Sequence, residues 1–316
     1  MKRHFIIDTD TASDDAWAII EALRATEIAS VHAITTVSGN FSVELCTKNA
    51  LIAVEYANTY SPPIYVGSDT PLASSNHYYA EFCHGSDGLG GMNLPEASIK
   101  AETIPAVDAL ISLSKEYNGE IEILTIGPLT NIAKAILTDA QFAKRIRHLW
   151  VLGGAVNSPG NMTEYAEYNV YCDPEAAQIV LNSGANQTWV VWNACQNGGE
   201  ISSDEVDKLS KSNDNSAVFC AHCCKKLREY YLKQSGKDSF LVVDTALISV
   251  ALLPRIITKS YEGYISICTD HSEKRGQTIL DLSGHRNCLV CERIDSAKYK
   301  QLLFSLLTKN DQLSES

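Results

Sequence analysis

Four aspartates fall within eight residues at the end of the first apolar run, in Phe5-Ile6-Ile7-Asp8-Thr9-Asp10-Thr11-Ala12-Ser13-Asp14-Asp15-Ala16, and no basic residue lies among them. Carboxylates this close repel one another, and an unpaired ion in a protein interior costs several kcal/mol. A fold that encloses them must protonate them or neutralise them with a hard cation that takes oxygen ligands. Phe5 to Ile7 reads as a short apolar strand, and Ala16, Trp17, Ile19, Ile20 and Leu23 recur at helical spacing. The acidic loop therefore joins a strand to a helix that Ser13 can cap. In an open α/β sheet, ligands bind beyond the carboxyl ends of the strands. Asp14 and Asp15 alone would be first-turn carboxylates favoured by the helix dipole, but Asp8 and Asp10 at the strand end have no such explanation. The cluster reads as a divalent-metal site.

Further strands are predicted at Val31 to Val37, Ile64 to Val66, Ile121 to Ile126, His148 to Leu152, Trp189 to Trp192 and Tyr264 to Cys268. Helical patterns run over Ser42 to Tyr60, Val107 to Tyr117, Leu129 to Leu137 and Pro174 to Asn182, the last with proline in its first turn. This alternation predicts the α/β class, with one domain over residues 1–316 and a mostly parallel open sheet covered by helices on both faces. Residues 209–239 are polar apart from Phe219 and the pair Tyr230-Tyr231, which suggests a helical flap.

A chain of 316 residues with 45% hydrophobic content is long enough for a large core, and its net charge of −12 argues against a nucleic-acid surface. No apolar run approaches the ~20 residues that span a bilayer. Met1-Lys2-Arg3-His4 leads straight into a strand, so no signal peptide is expected, and the expectation is a cytoplasmic chain without a membrane partner. The ten cysteines are scattered, which favours free thiols. Cys220, His222, Cys223 and Cys224, or Cys288 and Cys291, offer a zinc alternative. However, Cys220, Cys223 and Cys224 share one helix face, where thiols behave as small apolar groups, and Cys288 and Cys291 would point to opposite faces of a strand.

Other polar residues also stand just beyond strands. Asp244 follows Leu241-Val242-Val243 in an apolar setting and can complete a metal shell. Gly153-Gly154, Gly160-Asn161 and Glu167-Tyr168-Asn169 bring an amide, a carboxylate and a second amide onto a glycine-bent loop. Such groups suit a sugar, whose hydroxyls donate and accept, or a loop bonding its own backbone; Gly39-Asn40 has the same two readings. His84, among Gly85, Asp87, Gly88, Gly90 and Gly91, is a general acid if it faces a pocket and an ordinary hydrogen-bonding residue otherwise. Neither a Walker lysine nor a GxGxxG after a strand occurs, which discounts nucleotide phosphates.

In order and spacing, these motifs resemble the inosine-uridine preferring nucleoside hydrolases. The resemblance is carried by Asp8-Thr9-Asp10 with Asp14-Asp15-Ala16, Thr36-Val37-Ser38-Gly39-Asn40, His84-Gly85-Ser86-Asp87-Gly88-Leu89-Gly90, Gly127-Pro128-Leu129-Thr130-Asn131, Gly153-Gly154, Ala166-Glu167-Tyr168-Asn169 and Asp173-Pro174-Glu175-Ala176-Ala177. Arg275-Gly276-Gln277-Thr278 and Asp281 match the family's C-terminal segment, so the resemblance covers nearly the whole chain. It implies a Rossmann-like nucleoside hydrolase fold, Ca2+-dependent hydrolysis of the N-glycosidic bond of ribonucleosides, a setting in nucleoside salvage, and a homodimer or homotetramer. It further implies that Asp10, Asp15, Asp244 and the backbone carbonyl of Ile126 hold the calcium ion. Asp14, Asn40, Asn161, Glu167 and Asn169 would grip ribose hydroxyls, Asp10 would be the general base, and Asp8 would support the cluster.

The chain departs from the family pattern in places. Isoleucine at 126 replaces the usual threonine, without consequence for a carbonyl ligand, and Thr11-Ala12 replaces the usual Pro-Gly. Trp192-Asn193-Ala194-Cys195 lacks the common Asp and Thr-His. Val243 stands where many members have a histidine that protonates a leaving purine, so leaving-group help must come from His84, Tyr230, Tyr231 or water, and a preference shifted toward pyrimidines is expected. Two rivals remain. A magnesium phosphohydrolase would use Asp8-Thr9-Asp10 but leave Asp14 and Asp15 unexplained, and a nucleoside or ribose binder without turnover would follow from the missing acid.

Overall fold

The computed structural model describes residues 2–309. The alternating apolar runs of the sequence become strands β1 (Arg3–Thr9), β2 (Ala29–Thr36), β3 (Ile64–Tyr65), β4 (Ile121–Thr125), β5 (His148–Leu152) and β6 (Gln187–Val190). They are followed by β7 (Glu200–Ser202), β8 (Ser239–Leu241), β9 (Ile257–Ile267), β10 (Thr278–Asp281) and β11 (Cys288–Ile294). Among the described residues, nine of these form one sheet in the order β10-β9-β11-β6-β5-β4-β1-β2-β3, while β7 and β8 pair as a separate antiparallel ribbon. All pairings from β3 across to β11 are parallel, and β9 and β10 extend that edge in antiparallel pairing. The mostly parallel α/β sheet expected from the sequence is thus present.

A sheet of this kind must hide both faces, and β1 shows how. Phe5 and Ile7 enter one hydrophobic core and Ile6 the other, all fully buried. Strand β11 repeats the pattern, with Cys288 in one core and Cys291 in the other, so the two thiols do stand on opposite faces. From β1 the chain winds outward to β2 and β3, then returns to β4 on the other side of β1 and continues to β5 and β6. The β1–β4 boundary is therefore the topological switch point, where the carboxyl ends of adjacent strands leave a crevice.

Several boundaries differ from expectation. The strand expected at Trp189–Trp192 runs from Gln187 to Val190, and Trp192–Gln196 turns into a short helix whose first amide donates to the Gly154 carbonyl at 2.8 Å. The one expected at Tyr264–Cys268 is the end of the longer β9. Ser13 does not cap the first helix, Ser13–Arg24; Ala12 occupies the cap position, and the Asp15 carboxylate closes it by accepting from the Ala12 amide at 2.9 Å.

The segment expected to form a flap divides in two. Helix Asn215–Cys223 buries Ala217, Phe219, Cys220 and Cys223 in the core, and Trp17 Nε1 donates to the Cys220 carbonyl at 2.8 Å. At its start Asp214 forms a bidentate, fully buried ion pair with Arg24, whose Nη1 lies 2.9 Å from Asp214 Oδ1. Only the next helix, Lys225–Ser235, is largely exposed, burying Leu227 alone. Cys220, Cys223 and Cys224 are all buried in the core, where burial pushes their thiols up. No helix among the described residues is long and apolar enough to cross a membrane.

Removing one partner of a buried ion pair leaves the other charge uncompensated. Asp214→Ala is expected to lower the unfolding free energy by about 3–5 kcal/mol, read as a drop in the urea midpoint; a change below about 1 kcal/mol, the level of exposed pairs, would show the pair to be unimportant.

Candidate active site

The acidic loop leaves β1 at the switch point. Asp15 is held by Thr9 Oγ1 at 2.6 Å and by the Ala12 amide, with the Asn40 side-chain amide at 3.3 Å. Asp10 Oδ2 accepts from the Asn40 backbone amide at 2.8 Å. Two glycines wrap this carboxylate so closely that a Cβ on Gly39 would lie 2.1 Å from Asp10 Oδ2 and one on Gly127 2.7 Å from Oδ1. Asp8 points to the far side of the strand end, where the Asn131 amide donates at 2.8 Å and the Thr35 hydroxyl also bonds it.

Asp244 arrives from the first turn of helix Val243–Leu252, which follows β8. Among the described residues, one group of His, Cys, Asp or Glu side chains is arranged to share an ion. Its members are Asp14, Asp15 and Asp244, all buried, with ligand oxygens within 4.8 Å of one another. The resemblance put Asp10 in the ligand set and Asp14 in the ribose grip; the structure closes the triple with Asp14 and sets Asp10 beside it, raised first by burial and then by the Asp15 charge. The residue of the fourth implied ligand, Ile126, follows directly on β4 and lines a cavity together with Asp14 and Asp244, and its carbonyl accepts from Asn169 Nδ2 at 3.0 Å.

Three buried oxygens here have no hydrogen-bond partner: Asp8 Oδ2, Asp10 Oδ1 and Asp14 Oδ1. Burial raises every carboxylate of the cluster, moving Asp8 and Asp15 up to about 7 and Asp14 to about 6. Asp244 goes well above its ordinary value through burial and then through the charges of Asp15, Asp14 and Asp10. Orphaned, mutually repelling, all-oxygen donors with no Lys or Arg paired to them among the described residues fit a hard divalent cation.

The cluster floors a cavity of about 370 Å³. One side is polar, with Asp14, Asn40, Asn161, Glu167 and Asn169. Glu167 is not free, since its carboxylate accepts from the amides of Asn169 at 3.0 Å, Gly154 at 2.9 Å and Val170 at 3.2 Å. Asn161 is exposed and accepts from the Tyr168 amide at 2.8 Å. Asn169 also donates to the Leu152 carbonyl at 3.2 Å.

The remaining lining is largely apolar and aromatic, with Phe82, Trp192, Leu227, Tyr230, Tyr231 and Val243. Tyr230 packs edge-on to Tyr231 at 5.7 Å between ring centres and tilts against Phe82 at 5.4 Å. Burial raises both phenols, so they stay protonated donors at neutral pH. His84 also reaches the cavity, but Ser13 Oγ lies 2.7 Å from its Nδ1, which is where the expected capping hydroxyl goes. Burial lowers His84 to about 4, so the free site holds a neutral imidazole rather than a charged acid. Phe82, Trp192 and Gln234 were not singled out in the sequence; Gln234 is three residues beyond Tyr231 and seven beyond Leu227, a helical stripe that would have revealed it.

A family model described as inosine-uridine preferring nucleoside hydrolase matches residues 5–301. The chain belongs to this family. Uridine nucleosidase 1 of Arabidopsis thaliana is 36% identical over 272 residues, covering 84% of this chain and 80% of that one. Pyrimidine-specific ribonucleoside hydrolase RihA of Photobacterium profundum is 30% identical, covering 89% of each. The solved plant nucleoside hydrolase PpNRh1 superposes with a TM-score of 0.92 at 31% identity, covering 98% of this chain and 99% of that one. The purine-preferring ribonucleoside hydrolase of Gardnerella vaginalis reaches 0.91 at 24% identity, covering 98% and 100%, which shows the shared fold. The chain is thus a single-domain nucleoside hydrolase, an enzyme acting on ribonucleosides, with a buried acidic cluster at its site.

The raised carboxylates fix a sign for the pH dependence of this nucleoside hydrolase. An unfolded aspartate titrates near ~3.9, whereas folded Asp8 and Asp15 titrate near 7. Between those values the folded chain binds more protons, so the stability these groups contribute is complete below about pH 4 and is lost as pH rises through about 7. In chelator, Tm is expected to fall between about pH 5 and 8, and an added divalent cation to flatten that slope; a Tm that rises with pH there would contradict the protonated cluster.

Proposed function

We propose that this enzyme is a Ca2+-dependent hydrolase that splits the N-glycosidic bond of ribonucleosides, favouring uridine and other pyrimidine nucleosides, to ribose and free base. The observation that carries the metal reading is the buried triple of Asp14, Asp15 and Asp244 at the switch point, flanked by orphaned carboxylate oxygens. Asp10, Asp15, Asp244 and the Ile126 carbonyl are assigned to the ion, with Asp14 close enough to join them. When bound, calcium supplies the charge that orders a water beside the anomeric carbon and makes it more acidic.

The chain's own residues are assigned as follows. Asp10, braced by the Asn40 amide and confined by Gly39 and Gly127, accepts the proton of the attacking water through its free Oδ1. Asp14, Asn40, Asn161, Glu167 and Asn169 hold ribose hydroxyls, and contacts that tighten as the sugar distorts toward an oxocarbenium ion favour the transition state over the ground state. Asp8 keeps the strand end in place through Asn131 and Thr35. Tyr230, Tyr231 and neutral His84 face the departing base, and helix Lys225–Ser235 is the part of the expected flap that borders it. Direct attack by water predicts inversion without a covalent ribosyl intermediate.

The pyrimidine preference rests on Val243, which cannot protonate a purine, and on the aromatic wall. It is supported by the names of the relatives, uridine nucleosidase and pyrimidine-specific ribonucleoside hydrolase. Reducing-sugar release from inosine, uridine, cytidine and adenosine tests the whole reading. Uridine should be cleaved faster than inosine, chelator should stop release, and Asp10→Ala should lower kcat by about 10²- to 10⁴-fold, the usual weight of a positioned general base. Faster cleavage of inosine would overturn the base preference, while chelator-resistant turnover would overturn the calcium reading. Ribose binding without release would favour the non-catalytic rival. We also assign a homodimer or homotetramer from the family resemblance, and light scattering that reports a monomer would contradict it.

A further inference from the structure

The acidic triple is shared by two helices that line the same core. Asp14 and Asp15 stand in the first turn of Ser13–Arg24, and Asp244 stands in the first turn of Val243–Leu252. The second helix is buried around its whole circumference, since every residue from Asp244 to Leu252 is buried. A helix buried on all sides has no exposed face that selects its rotation, and apolar cores tolerate repacking at small cost. Burial therefore does not by itself decide where Asp244 points.

Polar contacts make that decision. Ser249 Oγ donates to Glu21 Oε1 on the first helix. One turn earlier on the same face, the Thr245 hydroxyl lies 2.7 Å from the Val242 carbonyl and 2.6 Å from the fully buried Tyr299 hydroxyl. At the far end the Arg3 guanidinium, paired with Glu122, bonds the Ala251 carbonyl. Glu21 itself lies seven residues after Asp14, on the same stripe of its helix and about 10 Å along the axis.

Glu21 is fully buried, burial holds its carboxyl well above the usual range, and its Oε2 has no partner. A leucine would fill this space without orphaning an oxygen, so the carboxyl is a poor choice for stability alone. A buried hydrogen bond does, however, select one arrangement among several that pack equally well.

We propose that Glu21 and Ser249 are positioning residues whose hydrogen bond fixes the rotation of helix Val243–Leu252, and so sets Asp244 at cation-binding distance from Asp14 and Asp15. This rests on the cation reading given above. Neither residue touches the triple or lies within two positions of it.

Calorimetric titration of chelator-stripped enzyme with Ca2+ tests it, alongside Tm in chelator. Glu21→Gln keeps a neutral acceptor and should bind Ca2+ within about twofold of wild type. Glu21→Leu and Ser249→Ala should bind at least about tenfold more weakly, the scale seen when a group that orients a metal ligand is removed. Glu21→Leu should do so with an undiminished Tm in chelator, a combination that a purely structural role does not produce. Wild-type affinity in both Glu21→Leu and Ser249→Ala would overturn the proposal, as would a loss in Glu21→Gln equal to that in Glu21→Leu. Should Glu21→Leu fail to fold, Ser249→Ala decides alone, because it removes a single hydroxyl. A wild type that binds no Ca2+ would overturn the cation reading and this proposal with it, an outcome distinct from normal wild-type binding with unaffected variants.

Discussion

Mutual repulsion among buried carboxylates at one strand end is the constraint around which the rest of the structure is arranged. Asp8, Asp10, Asp14, Asp15 and Asp244 are all buried, and among the described residues the one basic side chain within ion-pair distance of any of them is His84, 3.8 Å from Asp14. Only a stiff surround can hold such a set together. The buried carboxyl half of β1 and the fully buried β4 anchor the strand ends, the Asn40 and Ala12 amides and the Thr9 hydroxyl fix individual oxygens, and Gly39 and Gly127 let two loops close to within contact of Asp10. The free energy the cluster withholds from folding is supplied elsewhere, by apolar cores on both faces of a nine-stranded sheet. This separation of scaffold from site is what the doubly wound topology permits, because the switch point is the one place where two loops part and leave the strand ends accessible.

The two sides of the cavity follow from the chemistry each must serve. A sugar presents hydroxyls that donate and accept, and the polar side offers amides and carboxylates. Glu167 shows how such a side chain is held in a buried place: burial raises its carboxyl, while the amides of Asn169 and Val170 at a helix start and of Gly154 in a neighbouring loop oppose that rise. A nucleobase presents a flat, weakly polar face, and the other side offers Tyr230, Tyr231, Trp192 and Phe82. Because helix Lys225–Ser235 carries the tyrosines and buries only Leu227, that aromatic wall rests on the least anchored element at the cavity, whereas the acidic floor rests on the most deeply buried ones.

How far the sequence revealed this depended on whether the signal was local. The apolar runs and their alternation with helical stripes gave the parallel sheet, and the motif order gave the family, because both are written in short windows. Asp244 was found because a carboxylate inside an apolar run is conspicuous, even though 229 positions separate it from Asp15. The β7–β8 ribbon went unseen because its three-residue strands have no readable period, and Ser13 was assigned to a cap because its true partner, His84, is 71 residues away. The flap was drawn too long for a related reason. A polar composition concealed that Asp214 and Phe219 are core residues whose partners, Arg24 and Tyr56, lie near the start of the chain. The role of Glu21 was likewise invisible, since a lone glutamate in a helical stripe looks like an exposed residue until Ser249 is placed against it.

Val243 bears on the chemistry through its position. It opens the helix that presents Asp244 and lines the same cavity as Asp14, Trp192, Tyr230 and Tyr231. A histidine there would offer an imidazolium, an acid strong enough to transfer a proton to a departing purine near neutral pH. With valine, the donors facing that region are neutral His84 and phenols whose acidity burial has weakened. Such donors stabilise charge by hydrogen bonding and transfer a proton poorly, so on the proposed reading they favour a base that departs carrying its own negative charge. Uracil can take such hydrogen bonds on its two carbonyl oxygens as it leaves, whereas a purine that departs by way of protonation would lack the acid it needs. On the proposed reading the missing histidine and the apolar lining therefore bias the same step in the same direction, one by removing the help a purine needs and the other by retaining the stacking surface that a pyrimidine can use.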